Sequence, residues 1–189
     1  MLYYAGNIFR NIGFSTDSSF LKPIIVGIVN LLFTVVAILT VDKFGRKPLM
    51  IIGSIGMAVS MLALGFAFYL NEEGVAALIF MLTYTAAFAM SWGPVCWVLL
   101  AEIFPNSIRS ALSIAVAAQW IANWVVSLSF PMMNDNVWLT AKFHHGFSYW
   151  IYAVMGLLSA IFMWKLVPET KGKTLEEIEH LWKKKPEQT

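Results

Sequence analysis

The residues best suited to chemistry in this chain are few, and they sit where polar groups are expensive. Gln119 is a primary amide in the middle of an otherwise uncharged apolar stretch, with Trp120 beside it and Asn123 four positions on. A buried amide is costly unless it is partnered, and it offers both a donor and an acceptor. It therefore fits either a ligand hydroxyl or a helix–helix hydrogen bond. Upstream, the run "SWGPVCWVLLAEIFPNSIR" at 91–109 places Gly93 and Pro94 inside a segment apolar enough for a membrane interior, flanked by Trp92 and Trp97. Pro94 has no N–H to give to the carbonyl of Met90, and Gly93 loosens the same turn, so a break is expected there. Such a break is tolerated where a helix lines a cavity or packs against protein. An indole gives a flat apolar platform and one N–H donor; by itself it serves packing as readily as binding.

A second group is charged. "VDKFGRKP" at 41–48 holds Asp42 among Lys43, Arg46 and Lys47, with Gly45 for a tight turn and Pro48 for the first turn of the next helix. Glu102 and Arg109 flank Pro105, too far apart for one helical face. Each can pair with a neighbouring loop, Glu102 with Arg46 for example, in a charge-assisted contact that one conformation makes and another breaks. They serve equally well as simple anchors at the water boundary. No nucleophile–base pair stands among the apolar stretches. The three histidines fall into no metal spacing, and the single Cys96 rules out an intramolecular disulfide or a cysteine-based zinc site. The sequence reads as neither an enzyme nor a metalloprotein, and no cofactor is expected. The net charge of +2 is too small to point to nucleic acid.

The elements that carry these residues are membrane spans. The chain is 59% hydrophobic and 13% charged, about half the charged share of a soluble domain. Five segments reach the roughly 20 apolar residues a spanning helix needs: Pro23–Val41, Leu49–Leu70, Val75–Leu100, Ala111–Met133 and Gly146–Trp164. "MLYYAGNIF" has only nine residues before Arg10 and reads as the end of a further span within residues 1–12. The stretch 23–166 is thus a five-helix membrane bundle. Residues 167–189 form a tail in which Thr174 and Glu177 fit a capping box and Leu175, Ile178, Leu181 and Trp182 make an apolar stripe. Ten of the thirteen Lys and Arg residues fall on one side of the bundle, the side of the 41–48 turn and of the tail. That side is expected to be cytoplasmic. His144 and His145 fall in a loop on the other side, where a pH-sensing role and a plain interfacial role are both open.

"DKFGRKP", "GPVCWVLLAEIFPNSIR" and "PETKGKTLEEIE", in this order and spacing, resemble three signature stretches of the sugar porters of the major facilitator superfamily. "AFAMSWGPVCWVLL", "AVAAQW" and "FHHGFSYWIY" resemble its bacterial xylose–proton branch. The resemblance covers the whole chain but only the C-terminal half of such a transporter. It implies an all-α membrane protein of the multi-pass bacterial inner-membrane kind, its C-terminus cytoplasmic and its first helix incomplete. It implies proton symport of a monosaccharide, D-xylose in particular, by alternating access against an N-terminal half. Trp97 then matches the sugar-contacting tryptophan of the tenth span and Gly93 the glycine near it, with Trp92 and Phe88 lining the same cavity. Gln119 and Trp120 match sugar-site positions, with Asn123 behind them. Tyr3 and Tyr4 match the paired gating tyrosines of the seventh span, and Pro94 the bend of the tenth. Asp42, Arg46, Glu102 and Arg109 match a cytoplasmic charge network. Two departures stand out. The family's glutamine pair and asparagine of the seventh span, and the acidic residue of the first, have no counterpart here. "RSALSIA" is also one residue shorter than the family pattern, which would turn the rest of that helix by about 100° unless the loop absorbs it. A half of this kind is not expected to transport alone. A membrane module that binds or senses sugar without carrying it, or the remnant of a disrupted gene, is the alternative.

Overall fold

The computed structural model describes residues 21–70, 75–104 and 109–172. Among the described residues seven helices follow one another: α1 (Leu21–Phe44), α2 (Arg46–Tyr69), α3 (Val75–Met90), α4 (Val95–Ile103), α5 (Arg109–Asn134), α6 (Val137–Phe143) and α7 (Gly146–Leu166). No strand occurs among the described residues. Five stretches are long and apolar enough to cross a membrane: Ile24–Phe44, Arg46–Tyr69, Val75–Ile103, Ala111–Asn134 and Gly146–Leu166. They coincide with the five spans expected from the apolar runs. Their outward faces carry exposed Leu31, Leu39, Ile114 and Phe162, as suits helices that meet hydrocarbon rather than water.

α2 is the centre of the bundle. It packs along α7 on one side and along α3 on the other, while α1 leans on α3. In lipid, association of this kind relies on close packing rather than on water exclusion, and small residues let backbones approach. The α2–α7 seam shows this. A Cβ on Gly146 would stand 2.5 Å from the carbonyl oxygen of Gly65, and one on Gly156 would stand 3.1 Å from the Cβ of Ala58. The side chains of Phe68 and Tyr149 stack nearby, ring centroids 5.0 Å apart. Two buried clusters result. One joins Met61, Leu64, Phe68, Met81, Phe130 and Tyr149; the other joins Leu49, Met50, Val95, Leu99 and Met163 at the basic end.

α5 is attached differently. Most of its length is exposed, and its buried anchor is Phe130, close to its end. There Ser129 Oγ lies 3.1 Å from Tyr152 Oη. The short α6 was not foreseen in the sequence. Asn136 caps it, its Oδ1 accepting the N–H of Trp138 and Leu139 at 3.0 and 3.2 Å. His144 and His145 then take left-handed backbone angles, φ 44° and 66°. Their Nδ1 atoms lie 3.2 Å from the Tyr69 carbonyl oxygen and 3.1 Å from that of Asn134, the last residues of α2 and α5. The pair thus ties two helix ends to the turn before α7. The expected amphipathic tail helix lies outside the described residues.

Candidate functional site

The break foreseen at Gly93–Pro94 separates α3 from α4. The carbonyl of Phe88 accepts both Ser91 N–H at 3.2 Å and Gly93 N–H at 2.9 Å, and regular pairing resumes with Val95 N–H to the Ser91 carbonyl at 3.0 Å. One carbonyl serving two amides, three and five residues on, marks a turn that is tight and loose at once. A Cβ on Gly93 would find only ordinary contacts, 3.5 Å or more away, so this glycine supplies openness rather than a close approach.

Beside the break lies a half-open cavity of about 310 Å³, lined by α2, α3, α5 and α7. That is the lower end of the range for small-molecule sites. Phe88 and Trp92 line it from the α3 side and Asn123 from α5, with Tyr84, Tyr152 and Ser159 completing its polar and aromatic wall. Met57, Met61, Val126 and Phe130 make the rest of the wall apolar, so aromatic and aliphatic faces surround one amide and a few hydroxyls, a mixture that can take a small molecule with both C–H faces and hydroxyls. Trp92 is held in place: its Nε1–H donates to Ser54 Oγ at 2.7 Å.

The expected site residues divide into groups. Phe88 and Trp92 meet at the cavity, and Asn123, expected only behind the site, lines it with them. Gly93 and Pro94 form the half-buried break above it. Trp97 stands on α4, 45% exposed, and Gln119 and Trp120 stand on the exposed part of α5 one helical turn before Asn123. These three do not line the cavity; they face outward from the bundle. Tyr3 and Tyr4 lie outside the described residues. Tyr84 and Tyr152 escaped the sequence reading. Tyr84 precedes Phe88 by one helical turn, and that spacing was the available signal. Tyr152 is on another helix, and only the packing of α7 brings it here.

The basic end carries a charge cluster. Arg46 Nη2 and Nε approach Glu102 Oε1 at 2.9 and 3.1 Å, and Arg46 Nη1 approaches Asp42 Oδ1 at 3.0 Å. The other Glu102 oxygen, Oε2, accepts Thr170 Oγ1–H at 2.5 Å. So Glu102 does pair with Arg46, across the junction of α2 and α4. Arg109 opens α5, and its side chain lies outside the described residues. Glu169 was not foreseen. Its carboxylate accepts the backbone N–H of Arg46 and Lys47 at 3.1 and 3.2 Å, at the N-terminus of α2. A carboxylate there satisfies orphan amides and complements the helix dipole.

A family profile described as sugar (and other) transporter matches residues 1–182. The chain is 66% identical over 193 aligned positions to the D-xylose-proton symporter of Escherichia coli (strain K12), covering all of this chain and 39% of that protein. It is 47% identical to the glucose facilitated diffusion protein of Zymomonas mobilis, covering 97% of this chain and 39% of that protein. It is 42% identical to the arabinose-proton symporter of Bacillus subtilis, covering 95% and 38% respectively. The proton:xylose symporter XylE of the major facilitator superfamily, bound to 6-bromo-6-deoxy-D-glucose, superposes with a TM-score of 0.87 at 68% identity over 96% of this chain and 38% of that one. An inward-open form of the xylose transporter XylE from E. coli gives 0.79 at 59% identity, over 96% of this chain and 42% of that one. The chain thus spans about two-fifths of the length of these relatives, and its fold is the C-terminal half of the major facilitator architecture.

Proposed function

The chain belongs to the sugar transporter family, and on that premise we propose that it supplies the C-terminal wall of a proton-coupled monosaccharide transporter working by alternating access. D-xylose is the proposed substrate. The observation that supports this reading is the juxtaposition of an interrupted helix with an amide-bearing one around the cavity at Phe88, Trp92 and Asn123. The break lets α4 change its angle to α3, and a transporter needs helices that bend as one side closes and the other opens. The indole and amide groups recognise the C–H faces and hydroxyls of a pyranose.

In this reading Trp97, Gln119 and Trp120 face the partner half, an N-terminal six-helix unit that also supplies the proton site. Their outward exposure suits residues that share a chamber with another wall. Arg46, Asp42, Glu102 and Arg109 latch the cytoplasmic end in one conformation. The bundle sits in the bacterial inner membrane with its basic end and tail inside. Co-expression with the N-terminal half of the E. coli relative, in cells lacking xylose uptake, tests the proposal. Proton-linked xylose uptake is the expected result; correct insertion of both halves with no uptake overturns it.

A non-transporting sugar-binding module is the second reading. It draws on the fact that four helices of this one chain line the cavity. Xylose-dependent quenching of tryptophan fluorescence in the chain alone, at affinities matching the reassembled pair, would favour it.

A further inference from the structure

Ser54 is fully buried on α2, 0% exposed, and its hydroxyl is saturated. It donates to the Met50 carbonyl at 2.8 Å, accepts the Trp92 indole N–H at 2.7 Å, and lies 3.4 Å from Ser159 Oγ on α7. One oxygen therefore joins α2, α7 and the break between α3 and α4. The adjoining residue strengthens the same junction. A Cβ on Gly53 would collide with the side chain of Ser91, whose own hydroxyl bonds the Ala87 carbonyl at 2.7 Å. Both residues of α2 thus meet the first two residues of the break, Ser91 and Trp92. Beyond Pro94, α4 is held at the basic end instead, by Val95 and Leu99 in the buried cluster and by Glu102 on Arg46, while Trp97 and Val98 are exposed.

We propose that Ser54 is the positioning residue of the gating helix: with Gly53 it pins the Ser91–Trp92 end of the break to the α2–α7 pair, so that bending is confined to the Gly93–Pro94 side. The hydroxyl fixes the indole plane of Trp92 in the cavity wall and holds the Ser91–Trp92 end of the break still while the Gly93–Pro94 turn bends. The role in gating rests on the transport reading; the pinning itself does not.

Cys96, the only cysteine, lies on α4 two residues past Pro94 and is half-buried against the basic-end cluster. Its rate of modification by N-ethylmaleimide, followed by mass spectrometry on the membrane-inserted chain, reports how far α4 is held. S54A should speed modification about fivefold, the equivalent of one net hydrogen bond. S54T, which keeps the hydroxyl, should restore the slow rate. W92F removes the donor of the same bond, so it should speed modification similarly, and S54A with W92F should be no faster than either alone. S60A is the control: Ser60 is a buried serine of α2 that bonds only its own helix, at the Gly56 carbonyl, and its loss should leave the rate unchanged. Unchanged rates in both S54A and W92F, or an equal acceleration in S60A, would overturn the proposal. W92F keeps it testable should S54A not insert. Protection of Cys96 by xylose in the reassembled pair tests the transport reading separately: accelerated S54A labelling without such protection upholds the pinning and counts against the sugar.

Discussion

Arg46 and Glu102, 56 positions apart in the chain, meet at 2.9 Å between α2 and α4. The Arg46 side chain is 16% exposed and the Glu102 side chain 27%. The pair is thus more sheltered than an ordinary surface ion pair, so losing one partner leaves the other charge poorly solvated. Removing either partner, R46A or E102A, should lower the stability of the purified chain by about 1–3 kcal/mol, the range for hydrogen bonds to charged groups. Thermal unfolding in detergent measures this. In a double-mutant cycle R46A and E102A should be clearly non-additive; strict additivity would show that the two do not couple.

The seam between α2 and α7 gives a steric prediction. Gly146→Ala brings a methyl group against the Gly65 backbone oxygen, which cannot move aside as a side chain can. Gly65→Ala meets the Trp150 ring at 2.5 Å and the Gly146 oxygen at 3.1 Å. Both should destabilise by about 1–3 kcal/mol through overpacking. Gly27→Ala, with nothing within 4 Å of the new Cβ, should be neutral. A stable G146A would mean that the helices cross more loosely than described.

Loss of an amide should cost binding without costing the fold. Gln119 and Asn123 are both exposed on α5, so neither Q119A nor N123A leaves a buried group unpaired. Each should weaken xylose affinity of the reassembled transporter roughly fivefold to thirtyfold, about 1–2 kcal/mol. The melting temperature should stay within a degree or two. Isothermal titration reads the first quantity and a melting curve the second. Affinity unchanged by both substitutions would remove α5 from the sugar site.

Trp97 separates platform from donor. W97F keeps an aromatic face and loses the N–H; W97A loses both. Affinity should fall in the order wild type, W97F, W97A, with stability nearly constant because the side chain is 45% exposed. Equal affinities in all three would exclude a role in binding.

Much of this arrangement was legible in the residues. Apolar runs located five spans to within a few positions, because a helix in lipid must satisfy its backbone internally and hide its polar groups. The Gly93–Pro94 break followed from the missing proline N–H. A pair between Glu102 and Arg46 was one of two readings that charge left open, and the contact decides for it. The features that escaped depend on contacts distant in sequence. Ser54 looks like any serine of an apolar helix until α3 and α7 close on it. Glu169 carries no local sign that it serves an α2 amide. Val137–Phe143 is too short for periodicity to reveal; the Asn136 cap starts it, and Phe143 packs on Phe147 and Trp150 of α7. The cavity, likewise, belongs to four helices at once.

Glu169 has a consequence for the order in which the protein is made. The amides it satisfies, at Arg46 and Lys47, emerge from the ribosome more than 120 residues earlier. During synthesis the start of α2 must wait, served by water at the bilayer edge, until the last span has been threaded and the chain returns. These two amides are therefore among the last backbone groups of the bundle to find their partner.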